Sequence, residues 1–374
     1  MITTYRPTQD QALLLQAALL PPAEAARAWS AWKTHTDHGR VDSGSQRVMP
    51  LVARNLADSH VDDAFFHAIR LLHRKTWASN RLRLARLGEV LHALGDAGID
   101  TLVLKGAALV TRAYPDPALR PMDDVDVLVP SAQAPAAIAL LRQTGWTPAT
   151  RSPEASLRVN HAHGFEHGAD HRLDLHWHVL WECCGDGADA DFWRDAVAIE
   201  VAGVPTRALD PTSQLLHVCV HGARWSAAPG LHWAADAAMI LRAWGAEIDW
   251  ARLTAQARGR RVTLPMRDAL TFLAEALALP IPAHVIADLG SAPVSMLERV
   301  DYAVKLRPRG AWGTLVILLC HHARSSRGLG LPRTVLGLPR YLQHVRGLER
   351  LHDLPASMGR AAIDHVVGAR RRPR

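Results

Sequence analysis

The segment Asp124-Val125-Asp126-Val127-Leu128-Val129 constrains this chain more than any other. Its early residues alternate acidic and apolar, the period-two pattern of a strand half-buried in a sheet. Asp124 and Asp126 then share one face, while Val125 and Val127 enter the core. Two carboxylates held this close repel each other, so any fold that keeps this strand must bring positive charge to them. Asp123 falls on the opposite face and is read as leading into the strand rather than as a ligand.

The flanking segments supply a setting. Ile99-Asp100-Thr101-Leu102-Val103-Leu104 reads as a short strand, closed by Lys105-Gly106, with a helix beginning at Ala107. Glycine at such a turn allows backbone to approach a phosphate, and the helix N-terminus presents N–H groups and a positive dipole end. Pro115, Pro117 and Pro121 enforce a loop before the acidic strand. Downstream, Arg172 to His178 alternates: Leu173, Leu175 and Trp177 face the core, and Asp174, His176 and His178 the other side. Asp174 is therefore expected as a third carboxylate on a neighbouring strand. Magnesium suits such a set because it prefers oxygen ligands and shares them with phosphate. Two such ions, roughly 3.5–4 Å apart, can align an attacking hydroxyl with a phosphorus and its leaving oxygen.

The rest of the chain divides by pattern. Residues 1–98 read as a helical region, with apolar stripes from Leu13 and from Phe65 to Leu94 and a polar loop at 34–44. Residues 99–209 hold the strands. They include a hairpin from about His163 to Val179, turning at Gly168-Ala169-Asp170, and another over 198–209, turning at Gly203. Residues 210–374 read as a helical domain opened by an Asp210 N-cap and Pro211. Its helices are expected at 211–223, 232–243, 250–260, 264–278, 293–305, 311–324, 333–350 and 356–368. The basic end Arg370-Arg371-Arg372-Pro373-Arg374 reads as a solvated tail.

Composition removes several classes. Apolar residues make 48% and charged residues 21% of 374, unlike a disordered chain. The longest apolar run, Leu315 to Cys320, is far below the roughly 20 residues of a membrane helix. The N-terminus lacks the apolar stretch of a signal peptide. Cys183, Cys184, Cys219 and Cys320 form no C-x-x-C, so a reducing cytoplasm is the expected setting. A net charge of +7 permits an RNA partner without indicating one. Lysine is rare, occurring only at positions 33, 75, 105 and 305 among 43 cations, and one of the four precedes the turn glycine.

Other clusters carry less. His161, His163, His167, His171, His176 and His178 match no compact zinc spacing. His176 and His178 read either as lining the Asp174 site or as surface histidines. His217 and His221 share a helix face, open to packing or to a cleft role. Asp236, in an apolar helix, is expected to pair with Arg224 or His232. Trp225, Trp233, Trp244 and Trp250 are read as core. Walker, G-x-G-x-x-G and G-x-S-x-G motifs are missing from the sequence.

Together, KGAALVTRAYPDPALRPMDDVDVLV, RLDLHWHV and LLHVCVHGARW resemble the uncharacterised nucleotidyltransferases of the DNA polymerase β-type superfamily, over roughly residues 10–320. The resemblance implies an α+β fold: a polymerase β-like core of mixed sheet and helices, flanked by N- and C-terminal helical regions. It implies Asp124, Asp126 and Asp174 as metal ligands and catalytic groups, and Gly106 as the phosphate-turn glycine. The usual Gly-Gly or Gly-Ser turn is Lys105-Gly106-Ala107 here. Lys105 or Arg120 is therefore expected to supply the missing triphosphate contact, with His176 nearby. The implied reaction moves an NMP from an NTP, expected to be ATP, to an acceptor hydroxyl, with two magnesium ions and pyrophosphate release. The acceptor stays open between a small molecule, a peptide or protein, and an RNA end. A non-catalytic nucleotide- or partner-binding module is the alternative.

Overall fold

The structure, a computed structural model, describes residues 7–36, 41–59, 61, 64–150, 152–222, 230–307, 310–326 and 330–357. Seven strands form one mixed sheet: β1 (Leu102–Leu104), β2 (Val125–Leu128), β3 (Thr147–Pro148), β4 (Ala162–His167), β5 (His171–His176), β6 (Val197–Val201) and β7 (Val204–Ala208). Their spatial order is β3-β4-β5-β2-β1-β7-β6. β2 runs antiparallel to β1 and parallel to β5, so the acidic strand is central and cannot slip without exposing Val125 and Val127.

Each sheet face has its own apolar partner. Val103, Val125, Val127, Leu173, Leu175 and Trp177 pack with the long helix Ala64–Asp96 and the helix Ala134–Gln143 in one core. Leu102, Leu104 and Leu128 face a second core built from both ends of the chain. There Leu14, Trp29 and Trp32 from the helices Gln9–Leu19 and Pro22–His35 share apolar contacts with Leu216, Ile240 and Leu270. The first and third sequence segments thus bury their apolar stripes together over the strand-bearing middle. Fully burying one such leucine stabilises by about 1.5–3 kcal/mol.

Both predicted hairpins form. β4 and β5 turn at 168–170, and β6 and β7 turn at Ala202-Gly203, where both φ angles are positive (50° and 83°). That is the twist-matched two-residue turn, and glycine relieves it at the second position. Asp210 caps the helix Pro211–Gly222, its Oδ1 accepting from the N–H groups of Thr212 (3.0 Å) and Ser213 (3.3 Å). Helices at His232–Trp244, Trp250–Gly259, Thr263–Leu277, Met296–Lys305, Ala311–Ser325 and Leu331–Val345 lie close to their predicted positions. The sequence reading omits the helix Ala283–Ser291, and β5 stops at His176 rather than running to Val179. The 283–291 segment follows Pro280 and Pro282, whose breaking signal masks one short amphipathic helix. The expected 356–368 helix and the arginine tail lie almost wholly outside the described residues. Among the described residues, no helix is long and apolar enough to cross a membrane.

The C-terminal helices carry one buried charge cluster. Lys305, 5% exposed, donates to Glu182 (3.0 Å) and Asp301 (2.9 Å). Removing one partner from a buried ion pair strands the others. Lys305→Met is therefore expected to destabilise the full chain by roughly 3–5 kcal/mol in urea unfolding. A loss below about 1 kcal/mol, the range of an exposed pair, would contradict a structural role for this lysine.

Candidate active site

The strand register builds the site. Asp126 lies directly opposite Asp174 across the parallel β2–β5 pair, and opposite Leu104 across β1–β2. Lys105 follows Leu104 at once, so its side chain reaches Asp126, and its Nζ donates to Asp126 Oδ1. On β5, two residues beyond Asp174, His176 also meets Asp126 Oδ1, with Nε2 at 3.0 Å. Asp126 and His176 are 2% and 1% exposed, and Asp174 is half-buried. Gly164 on β4 faces Asp174; a Cβ there would stand 3.2 Å from Asp174 Oδ1.

Burial alone would raise the Asp126 carboxyl. The Lys105 charge and the His176 hydrogen bond outweigh it and hold the group well below the usual carboxylate range. Asp126 is thus ionised in the interior. Asp124 stands on the solvent-facing rim, one residue before β2. The surrounding protein and the Asp126 charge push its carboxyl up, and Lys105 opposes them. Lys105 feels Asp126, Asp124 and Asp174, which together hold its ammonium above the ordinary value despite burial. Its backbone is left-handed (φ 44°), a conformation that costs a non-glycine residue about 1–2 kcal/mol. The strain sits at the turn from β1 into the helix Lys105–Arg112, where it aims the ammonium at the acidic strand.

Donor atoms of Asp126, Asp174 and His176 lie within 4.8 Å of one another, close enough for one ion. Two carboxylates, one ionised inside the protein, suit a hard divalent cation; the imidazole also admits a transition metal.

Arg120 is anchored rather than free. Its Nε and Nη2 donate to Asp236 Oδ1 and Oδ2 at 2.7 and 2.8 Å, and the Tyr114 hydroxyl donates to Oδ1 at 2.7 Å. All three residues are buried. This corrects the expected Asp236 partnership. The helix His232–Trp244 packs against the 114–120 loop, which brings Arg120 to Asp236; Arg224 lies outside the described residues. The rest of the Arg120 guanidinium covers Gly106. A Cβ at Gly106 would overlap that guanidinium and stand 2.9 Å from Met122 Sδ. Glycine is needed here for close approach.

The remaining candidates disperse. His178 leaves the face of Asp174 because β5 has ended, and it hydrogen-bonds Asp189 at 2.6 Å. Asp123 is exposed and ion-paired to Arg47. His217 is buried in its helix beside His221, with ring centroids 6.1 Å apart. Trp233 is core, Trp244 and Trp250 pack at its edge, and Trp225 lies outside the described residues. Tyr114 and Met122, which pack around the Lys105-Gly106 turn and its Arg120 cover, carry no signal in the sequence. Tyr114 meets Asp236 across 122 positions, and no local pattern announces such a contact.

Comparison with known proteins gives similarities of two kinds. A family model described as uncharacterised nucleotidyltransferase matches residues 43–278. The solution structure of antibiotic-resistance factor ANT(2'')-Ia aligns at 16% identity and a TM-score of 0.35, covering 50% of this chain and 96% of that one. A search of the curated proteins found no match.

Gly106→Ala is expected to force Arg120 from its place, lowering stability by about 1–3 kcal/mol, as overpacking does. Thermal unfolding checks this; an unchanged midpoint would mean that Arg120 does not seat against Gly106.

Proposed function

The chain belongs to the uncharacterised nucleotidyltransferase family, and from that premise we propose that it moves a nucleoside monophosphate from an NTP, ATP in the first instance, to an acceptor hydroxyl. The observation that carries this reading is the convergence on Asp126: Asp174 lies beside it in register, and Lys105 and His176 bond the same oxygen.

Asp126 and Asp174, with Asp124 at the rim, would hold magnesium. When bound, the metal neutralises phosphate charge and acidifies the acceptor hydroxyl. The protein's own groups do the rest. His176 fixes the Asp126 carboxylate by its hydrogen bond. Lys105 balances the carboxylates and lies at the N-terminus of its helix, where backbone N–H groups and Gly106 receive phosphate oxygens. Arg120 acts through Gly106, held in place by Asp236, and is a positioning residue in this reading. Asp174 takes the acceptor proton at a carboxylate oxygen. The acceptor oxygen bonds the α-phosphorus as the bond to the β-phosphate oxygen breaks, and pyrophosphate leaves. Acceptors in play are a small molecule, a peptide or protein side chain, and an RNA end.

Labelled NTPs incubated with the full chain, magnesium and a cell extract should yield a labelled acceptor, identified by mass spectrometry. Asp126→Asn and Asp174→Asn are each expected to slow labelling by on the order of 10²–10³-fold, the scale of lost preorganised electrostatics, with the circular dichroism spectrum retained. Undiminished labelling by Asp126→Asn would remove the assignment.

A further inference from the structure

A groove of about 520 Å³ opens beside the carboxylates, between residues 43–50, the long helix Ala64–Asp96 and the segment Pro121–Asp123. Arg47, Lys75 and Arg83 line it. Asp123, ion-paired to Arg47, is the one carboxylate among the lining residues. Among the described residues, neither Lys75 nor Arg83 forms an ion pair. Arg83 Nε is buried and lacks a hydrogen-bond acceptor. The helix that carries both has no Asp or Glu before Glu89, so nothing on its own surface neutralises them.

The groove adjoins the acidic strand. Arg47 is paired directly to Asp123, and the Asp124 charge also acts on both Arg47 and Arg83. Pro121, Met122 and Asp123, which form one wall, lead directly into Asp124 and β2. A ligand reaching from the carboxylates into the groove would meet two guanidinium groups and an ammonium. Such groups favour phosphate, which guanidinium can grip through paired N–H donors.

We propose that this groove binds a phosphate group of a substrate through Arg47, Lys75 and Arg83. The proposal rests on the nucleotidyl-transfer reading and adds an anion subsite outside the strand-bearing region, on the N-terminal helices. Two sources share the chemistry: the terminal phosphates of the NTP, and a phosphate carried by the acceptor.

Isothermal titration of the full chain separates them, using magnesium-ATP, inorganic pyrophosphate, and a 5′-phosphorylated oligoribonucleotide beside its unphosphorylated twin. If the groove takes the NTP, Lys75→Gln/Arg83→Gln weakens magnesium-ATP and pyrophosphate about tenfold or more, the scale of one lost charge-assisted bond. If it takes the acceptor, magnesium-ATP is unchanged and the advantage of the phosphorylated oligonucleotide over its twin disappears. Either outcome supports the subsite. Equal affinities in wild type and variant, or no binding of any probe to wild type, overturn it. Should the double variant lose its cooperative unfolding transition, Lys75→Gln alone, on an exposed residue, carries the comparison. Asp126→Asn keeps the two levels apart. Magnesium-ATP binding lost there, with every probe bound equally by wild type and groove variant, removes the groove alone; binding indifferent to Asp126→Asn removes the parent reading.

Discussion

A carboxylate kept ionised inside the protein is the constraint on which the rest of this structure depends. Asp126 is almost wholly buried, and its charge would be intolerable there without Lys105 and His176 on the same oxygen. That requirement explains a left-handed lysine at the end of β1, because only a sharp turn there brings the ammonium back onto β2. It also explains the central place of β2. The antiparallel neighbour delivers Lys105, and the parallel neighbour delivers Asp174 and His176. A lone buried pair of this kind is weak evidence of stability. A pair facing a second and a third carboxylate, Asp124 and Asp174, is more economically explained by chemistry.

The Lys105-Gly106 turn is held from outside the strand-bearing region. Tyr114 and Arg120 grip Asp236 on a C-terminal helix, and Arg120 then closes over Gly106. The turn thus has its conformation set by two segments more than a hundred residues apart. From the N-terminal helices, Arg47 pairs with Asp123, and Arg83 lines the same groove as Pro121–Asp123, the segment that leads into Asp124. Both helical regions therefore do more than pad the sheet: one braces the turn, and the other brings cations to its edge.

Local periodicity made much of this legible. Alternation in Asp124–Val129 and Arg172–His178 located the two strands and the faces of Asp126, Asp174 and His176, because a half-buried strand has no other way to satisfy both faces. Asp210-Pro211 and Gly203 marked the cap and the turn by their own backbone chemistry. Long-range choices were hidden. Arg120 looked like a free cation of the proline-rich loop, and nothing near Asp236 named its partner. The end of β5 at His176, which removes His178 from the site, is likewise set by Asp189 bonding both His178 and the Val179 N–H. The scarcity of lysine proved informative beyond Lys105. Lys305 is also buried between carboxylates, and Lys75 lines the cationic groove.

The central claim is that the carboxylates around Asp126 form a divalent-cation site. Manganese titration of the full chain, followed by electron paramagnetic resonance and competed with magnesium, tests it without any knowledge of the acceptor. The account predicts saturable manganese binding that magnesium displaces and that Asp126→Asn and Asp174→Asn each weaken by about tenfold or more, the scale of one lost charge-assisted interaction. Binding of equal strength in wild type and both variants would contradict it.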